Sequence, residues 1–223
     1  MTHRNLIWLA AHVFACAALA QEKPEPWEKD IQRFEARDAE SMPAPGGIVF
    51  VGSSSIRFWK TDKAFPDLQV INRGYGGSFV ADSAHYAKRI VTKYKPRLVV
   101  FYAGDNDIGN GISPEQVSED YKAFVKAVRD ELPAARIVYI SIKPSPARWA
   151  TVDKSRKANA LIKAYCESGE GLEFVDIDTP MVGPDGLPRK ELFIGDNLHM
   201  NDAGYALWNE IIRPILDKGS GSR

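Results

Sequence analysis

Apolar residues in this chain come in short, dense runs separated by longer segments with helical spacing. Five runs stand out: Ile48–Val51, Gln69–Asn72, Leu98–Tyr102, Arg136–Ser141 and Leu172–Asp176. Each is rich in β-branched or aromatic residues, as expected for strands covered on both faces. Between them the spacing predicts helices over Val80–Lys93, Pro114–Leu132 and Trp149–Glu167, with a last helix over Ala203–Leu216. Ser113-Pro114-Glu115 reads as a helix start, with Ser113 as the cap and proline in the first turn. Ahead of the first strand, Trp27, Ile31 and Phe34 predict an outlying helix over Pro26–Glu40. Alternation of strands and helices implies a parallel sheet between helical layers. With right-handed crossovers, the expected architecture is a three-layer α/β/α flavodoxin-like fold with a five-stranded parallel sheet.

That architecture says where to look for chemistry, because such sheets bind ligands beyond the carboxyl ends of their strands. Gly52–Ser55, Gly74–Ser78, Gly104–Asp107 and Lys143–Pro146 all follow predicted strand ends and are expected to meet on one rim.

The first twenty residues have a different pattern. A short basic start, an apolar run from Leu6 to Ala17 and small residues at Ala18 and Ala20 form the layout of an export signal, with cleavage after Ala20. The apolar run falls short of the roughly 20 residues a spanning helix needs. Val13-Phe14-Ala15 is a poor lipobox ahead of Cys16. The expected organisation is a signal peptide at 1–20, a helical extension at 21–45, one main domain at 46–218 and a tail at 219–223. A periplasmic or secreted location follows, without a stable membrane span after cleavage.

Composition narrows the function classes. The chain has 29 basic and 29 acidic residues, and losing Arg4 with the signal leaves one net negative charge. No basic excess suggests a nucleic-acid partner. Cys166 is the only cysteine after residue 20, so neither an internal disulfide nor a cysteine metal cluster is available.

The residue types at the strand ends suit acyl transfer. A serine hydroxyl needs a base that titrates near neutrality, which imidazole does at about 6.5. His85 falls in a helical stretch among Lys88, Arg89 and Lys93 and reads as a surface residue. His199 follows Asp196 at a spacing that lets the carboxylate curl back onto one ring nitrogen, which sets the tautomer. Gly77 can offer an unobstructed N–H and Asn106 a side-chain amide to a developing oxyanion. Two other motifs fail. Phe79 takes the third glycine position of a dinucleotide loop, and Gly109 stands where a calcium loop starting at Asp105 needs a ligand. Ile56 likewise occupies the second glycine of a Gly-x-Ser-x-Gly elbow.

Taken together, the blocks resemble the SGNH hydrolases, the GDSL-type esterase family. Gly52-Ser53-Ser54 matches the first block and implies Ser54 as nucleophile, with Ser55 as the alternative register. The second block implies Gly77, Gly104-Asp105-Asn106-Asp107 implies Asn106, and Asp196 with His199 completes the last block. Ser53 and Ser78 stand where the family usually has aspartate. The resemblance implies a serine esterase acting on a small-molecule or carbohydrate ester, with an oxyanion hole of Ser54, Gly77 and Asn106 and no metal or organic cofactor. Arg57, Arg73, Tyr75 and Lys143 lie near the expected rim as candidate substrate-binding residues, with Trp59 and Trp149 as candidate stacking surfaces. Nothing in the chain indicates its oligomeric state.

Overall fold

A computed structural model describes residues 26–218. The expected export signal, its cleavage point after Ala20, Cys16 and the 219–223 tail lie outside the described residues. The elements, in order, are α1 (Glu28–Glu40), β1 (Ile48–Gly52), α2 (Ser54–Phe58), α3 (Thr61–Ala64), β2 (Val70–Gly74), α4 (Val80–Ile90) and β3 (Leu98–Tyr102). They continue with α5 (Asp105–Gly109), α6 (Pro114–Glu131), β4 (Arg136–Ile140), α7 (Val152–Ser168), β5 (Leu172–Val175) and α8 (Asp202–Asp217). The five strands form one sheet in the order β2-β1-β3-β4-β5, and every pairing is parallel. The flavodoxin-like expectation is met.

Burial explains why the strands read as continuous apolar runs. All five residues of β1 and of β3 are buried, because helices cover both faces of the sheet. Val49 and Val51 of β1 face a core built with Ile31 and Phe34 of α1, Tyr86 of α4, Phe124 of α6 and Ile162 of α7. Ile48 and Phe50 face the second core, with Ile56, Trp59, Phe65, Trp208 and Ile212. α1 is therefore part of the first core. Arg89 of α4 pins it further, bonding Glu28 and Glu35 of α1 at 2.7 Å each.

Two helix boundaries differ from the periodic reading. α4 ends at Ile90 and gives way to a 3-10 turn over Thr92–Tyr94, after which Lys95 adopts φ +46°. Pro96 disfavours helix at the residue before it. α7 begins only at Val152, preceded by a 3-10 segment Pro146–Thr151 in which Arg148 is non-helical at φ −119°. The short helices α2, α3 and α5 are too brief to leave a periodic signature in sequence.

Arg73, expected near the rim, is instead buried at the end of β2. Its guanidinium bonds the buried Asp38 carboxylate of α1 and the Tyr94 hydroxyl. Asp38 also accepts a hydrogen bond from the Tyr94 hydroxyl and pairs with the Lys93 ammonium. Burial works against its charge, but these partners prevail and hold its pKa below the usual carboxylate value. Breaking such a pair strands a buried guanidinium. Asp38→Ala is expected to cost about 3–5 kcal/mol in urea unfolding. A loss below about 1 kcal/mol would mean that solvent, rather than Asp38, satisfies Arg73.

Candidate active site

β1 and β3 approach so closely at their ends that only glycine fits between them. Gly52 has φ +136°, and a Cβ there would sit 1.8 Å from the Tyr102 carbonyl oxygen. The chain then turns at once. Ser53 N–H donates to Tyr102 O at 3.0 Å, and Ser53 O accepts from the N–H groups of Ile56 and Arg57. Ser54 thus opens α2, half-buried, with its Oγ 3.1 Å from His199 Nε2. Ser55 is buried under the same turn, and His199 reaches Ser54 rather than Ser55.

The histidine is held by its own loop. Asp196 Oδ1 accepts the N–H groups of Leu198 and His199 at 2.9 Å each, and Oδ2 meets His199 Nδ1 at 2.6 Å. This tight curl needs Asn197 at φ +57°, a conformation asparagine tolerates. Burial opposes the Asp196 charge, but the ring and the two backbone donors outweigh it and hold the carboxyl at about 2. A permanently ionised Asp196 keeps the proton on Nδ1, which leaves the Nε2 lone pair facing the Ser54 hydroxyl. Phe58 packs edge-on against the imidazole at 5.2 Å. Asn201 closes the loop by capping α8 through Ala203 and Gly204.

Two further loops bring the donors. A Cβ built on Gly76 would lie 3.9 Å from Ser54 Cβ, so the Gly76–Ser78 segment runs beside the serine. Gly77, at φ +82°, is solvent-exposed, and a Cβ there would meet the Trp27 ring at 3.1 Å. Trp27 is fixed in turn by Nε1–H donating to Asp82 at 2.7 Å. Ser78 O accepts from Asn106 Nδ2 at 3.0 Å, tying the second loop to the third. The loop after β2 thus lies beside Ser54 at Gly76 and is tied to Asn106 at Ser78. The second amide hydrogen of Asn106 is left for another acceptor.

Behind Asn106 lies a charged cluster. Buried Asp105 contacts Lys143 at 2.6 Å and Arg148 at 2.7 Å, and Arg148 also donates to Asn106 Oδ1 at 3.0 Å. Burial disfavours the Asp105 charge, yet the two cations keep its pKa below the usual value. With Asp105 so engaged, the calcium reading loses its first ligand. The next carboxyl, Asp107, is fully buried and accepts Val80 N–H at 3.0 Å. Burial pushes it up to about 6.

The candidate substrate-binding residues separate clearly. Arg57 is exposed, and a Cβ on Gly76 would meet its Nη1 at 3.0 Å, so it does stand beside the nucleophile. Arg73, Tyr75 and Lys143 do not line an open rim, since all three are buried. Arg73 belongs to the Asp38 pair, Tyr75 packs against Trp27 and Tyr86, and Lys143 belongs to Asp105. Trp59 is likewise a core residue, and Trp149 lies under Arg156. His85 is exposed on α4, as expected. The sequence reading missed Trp27, Phe58 and Arg148 as site neighbours. Trp27 was legible only as a helix residue, and Arg148 sits in a segment without periodicity. Beside His199 an open hollow of about 610 Å³ is lined by Phe58, Lys60, Lys63, Ile194, Met200 and Tyr205, among others.

The rim of the parallel sheet thus presents a serine, a histidine and a carboxylate in contact. The chain belongs to the GDSL-like lipase/acylhydrolase family, whose model matches residues 58–207. That match begins after Ser54, so the serine itself rests on position and contact. The platelet-activating factor acetylhydrolase IB subunit alpha1 of Bos taurus is 28% identical over 217 residues, covering 87% of each chain. Among solved structures, a GDSL-like lipase from Bacteroides thetaiotaomicron superimposes with a TM-score of 0.72 at 21% identity, over 84% of this chain and 97% of that one. A family 3 carbohydrate esterase of Clostridium thermocellum does so with a TM-score of 0.63 at 15% identity, over 78% and 98%. These structural likenesses concern the fold.

The position of Asp107 has a consequence for stability. A carboxyl at about 6 when folded and near 3.9 when unfolded binds more protons in the native state between those values. Its contribution to stability therefore falls as pH rises from about 4 through 6, by at most about 3 kcal/mol. Asp107→Asn keeps the acceptor for Val80 N–H and removes the charge. It is expected to gain stability over wild type at pH 8 and to lose that advantage at pH 4.5. Equal differences at the two pH values in chemical denaturation would contradict the assignment.

Proposed function

We propose that the chain is an exported serine esterase that removes short acyl groups, acetyl above all, from polar carriers including carbohydrates. The observation that carries this reading is the continuous contact from Ser54 Oγ through His199 to Asp196, at 3.1 and 2.6 Å. Ser54 Oγ attacks the ester carbonyl carbon while His199 Nε2 takes its proton. The carbonyl oxygen becomes an oxyanion between the N–H groups of Ser54 and Gly77 and the free amide hydrogen of Asn106. Collapse of this intermediate breaks the bond to the alcohol oxygen, which receives the proton from His199. Water, deprotonated by the same nitrogen, then attacks the acyl-serine and releases the acid and the free hydroxyl. Asp196 stabilises the imidazolium in both halves without taking its proton.

Preference for a small acyl group on a polar carrier draws on the surroundings. The hollow next to the Phe58–His199 contact is open and combines an apolar wall of Phe58, Trp59, Ile194 and Met200 with the cations Lys60 and Lys63. Arg57 adds a cation beside the serine. The bovine relative's name points towards acetyl esters. Platelet-activating factor is the alternative carrier, suggested by the bovine relative. Export rests on residues 1–20 alone.

A chain-length series of p-nitrophenyl esters from acetate to palmitate, with acetylated xylan and platelet-activating factor alongside, tests the substrate class. Turnover is expected to be highest on acetate, and a maximum at eight carbons or longer would overturn the short-acyl reading. Ser54→Ala is expected to abolish turnover and fluorophosphonate labelling at an unchanged melting temperature. Retained hydrolysis would transfer the nucleophile to Ser55. Asn106→Ala is expected to lower kcat by about 10²–10³-fold, the usual cost of one oxyanion donor. A loss under threefold would remove Asn106 from the oxyanion hole.

A further inference from the structure

The inference rests on the reading of Asn106 as an oxyanion donor. Asparagine is an awkward residue for that task. Its carboxamide is planar, and a half-turn about the last bond would replace the donating nitrogen with an oxygen that repels the oxyanion. The Ser78 carbonyl favours the nitrogen on one side. Something must also hold the oxygen. Arg148 Nη2–H donates to Asn106 Oδ1 at 3.0 Å, a bond the flipped amide would turn into a donor facing a cation.

Arg148 is itself tightly placed. Its Nη1 lies 2.7 Å from Asp105 Oδ1, an ion pair held by charge and closeness rather than by an aligned hydrogen bond, and the other Asp105 oxygen is taken by Lys143 at 2.6 Å. The Lys143 and Asp105 side chains are both nearly inaccessible, while Arg148 remains about a quarter exposed. Arg148 leaves the helical path at φ −119°, just before α7, and lies across α5. Gly109 leaves it room there, since a Cβ at that position would come within 2.8 Å of Arg148 Nε. The three side chains sum to one positive charge behind the amide, on the side away from its Nδ2–H. A cation bonded to the amide oxygen also draws electron density from the nitrogen and strengthens its N–H as a donor.

We propose that Arg148 is a positioning residue of the reaction: held by Asp105 and Lys143, it locks Asn106 with its N–H toward the oxyanion and polarises it for that bond. Asp105 and Lys143 set the lock and make no contact with substrate. The lock acts on the transition state, so it is expressed in kcat and leaves KM nearly untouched.

The test is a double-mutant cycle on p-nitrophenyl acetate, with the rate of Ser54 phosphonylation by a fluorophosphonate as second readout. Arg148→Met is expected to lower kcat by roughly tenfold to a hundredfold, as small misplacements of catalytic groups do, with KM changed less than twofold and phosphonylation slowed in parallel. In the Asn106→Ala background the same change is expected to cost less than twofold. Arg148→Lys keeps a cation for Asp105 but lacks the fork that reaches Asn106 as well, so it is expected to recover the melting temperature and not kcat. It serves as the folded control if Arg148→Met is unstable. Wild-type kcat in Arg148→Lys, or an equal loss with and without Asn106, overturns the proposal and leaves the esterase reading intact. A wild-type chain that neither turns over nor labels overturns both.

Discussion

Every functional contact in this molecule depends on five strands running in one direction. A parallel sheet obliges each connection to cross a face and return, so all five strands end at the same edge. Ser54, Gly77 and Asn106 each lie within five residues of a strand end, after β1, β2 and β3. Arg148 follows β4, and the Asp196–His199 loop follows β5. One constraint on hydrogen bonding in the sheet thus gathers side chains that are up to 145 residues apart. The registers carry this to the atomic level: Gly52 pairs with Gly74 on one side and Tyr102 on the other, and its missing side chain lets the ends of β1 and β3 close together.

Rigidity at the rim comes from short local devices rather than from mass. Asp196 satisfies two N–H groups of its own turn before it meets the imidazole, so the histidine is oriented by a loop of four residues. Gly77 is backed by Trp27, which the N-terminal segment delivers and Asp82 anchors. That makes the segment before β1 a structural partner of the Gly76–Ser78 loop. Asn106 is held from both ends of its amide, by a carbonyl and by a guanidinium. The buried charges behind it are paired, as buried charges must be to persist.

The same burial explains which sequence expectations moved. A charged or aromatic residue just after a strand looks accessible in one dimension. Arg73, Tyr75 and Lys143 all meet that description, yet each is covered by an element far away in the chain: Asp38 of α1, Trp27 and Asp105. Arg57 differs because α2 turns it outward beside the serine. Arg148 went unnoticed for the opposite reason. Its segment has no periodicity, and its importance comes entirely from meeting Asn106 across 42 residues.

The sequence by itself determined the alternation of elements, the two-sided burial of the sheet and the candidates Ser54, Asp196 and His199. Those follow from local propensity and from short spacings such as Asp196 to His199, and both are properties of neighbours along the chain. Which of three consecutive serines faces the base was narrowed by the family pattern, and the turn after Gly52 brings Ser54 to His199. Only the tertiary structure decided which cations are free for substrate and which are spent on buried carboxylates. It alone also revealed what holds the Asn106 amide. Burial and ion pairing depend on residues distant in sequence, and no pattern within a window of the chain encodes where those partners will stand.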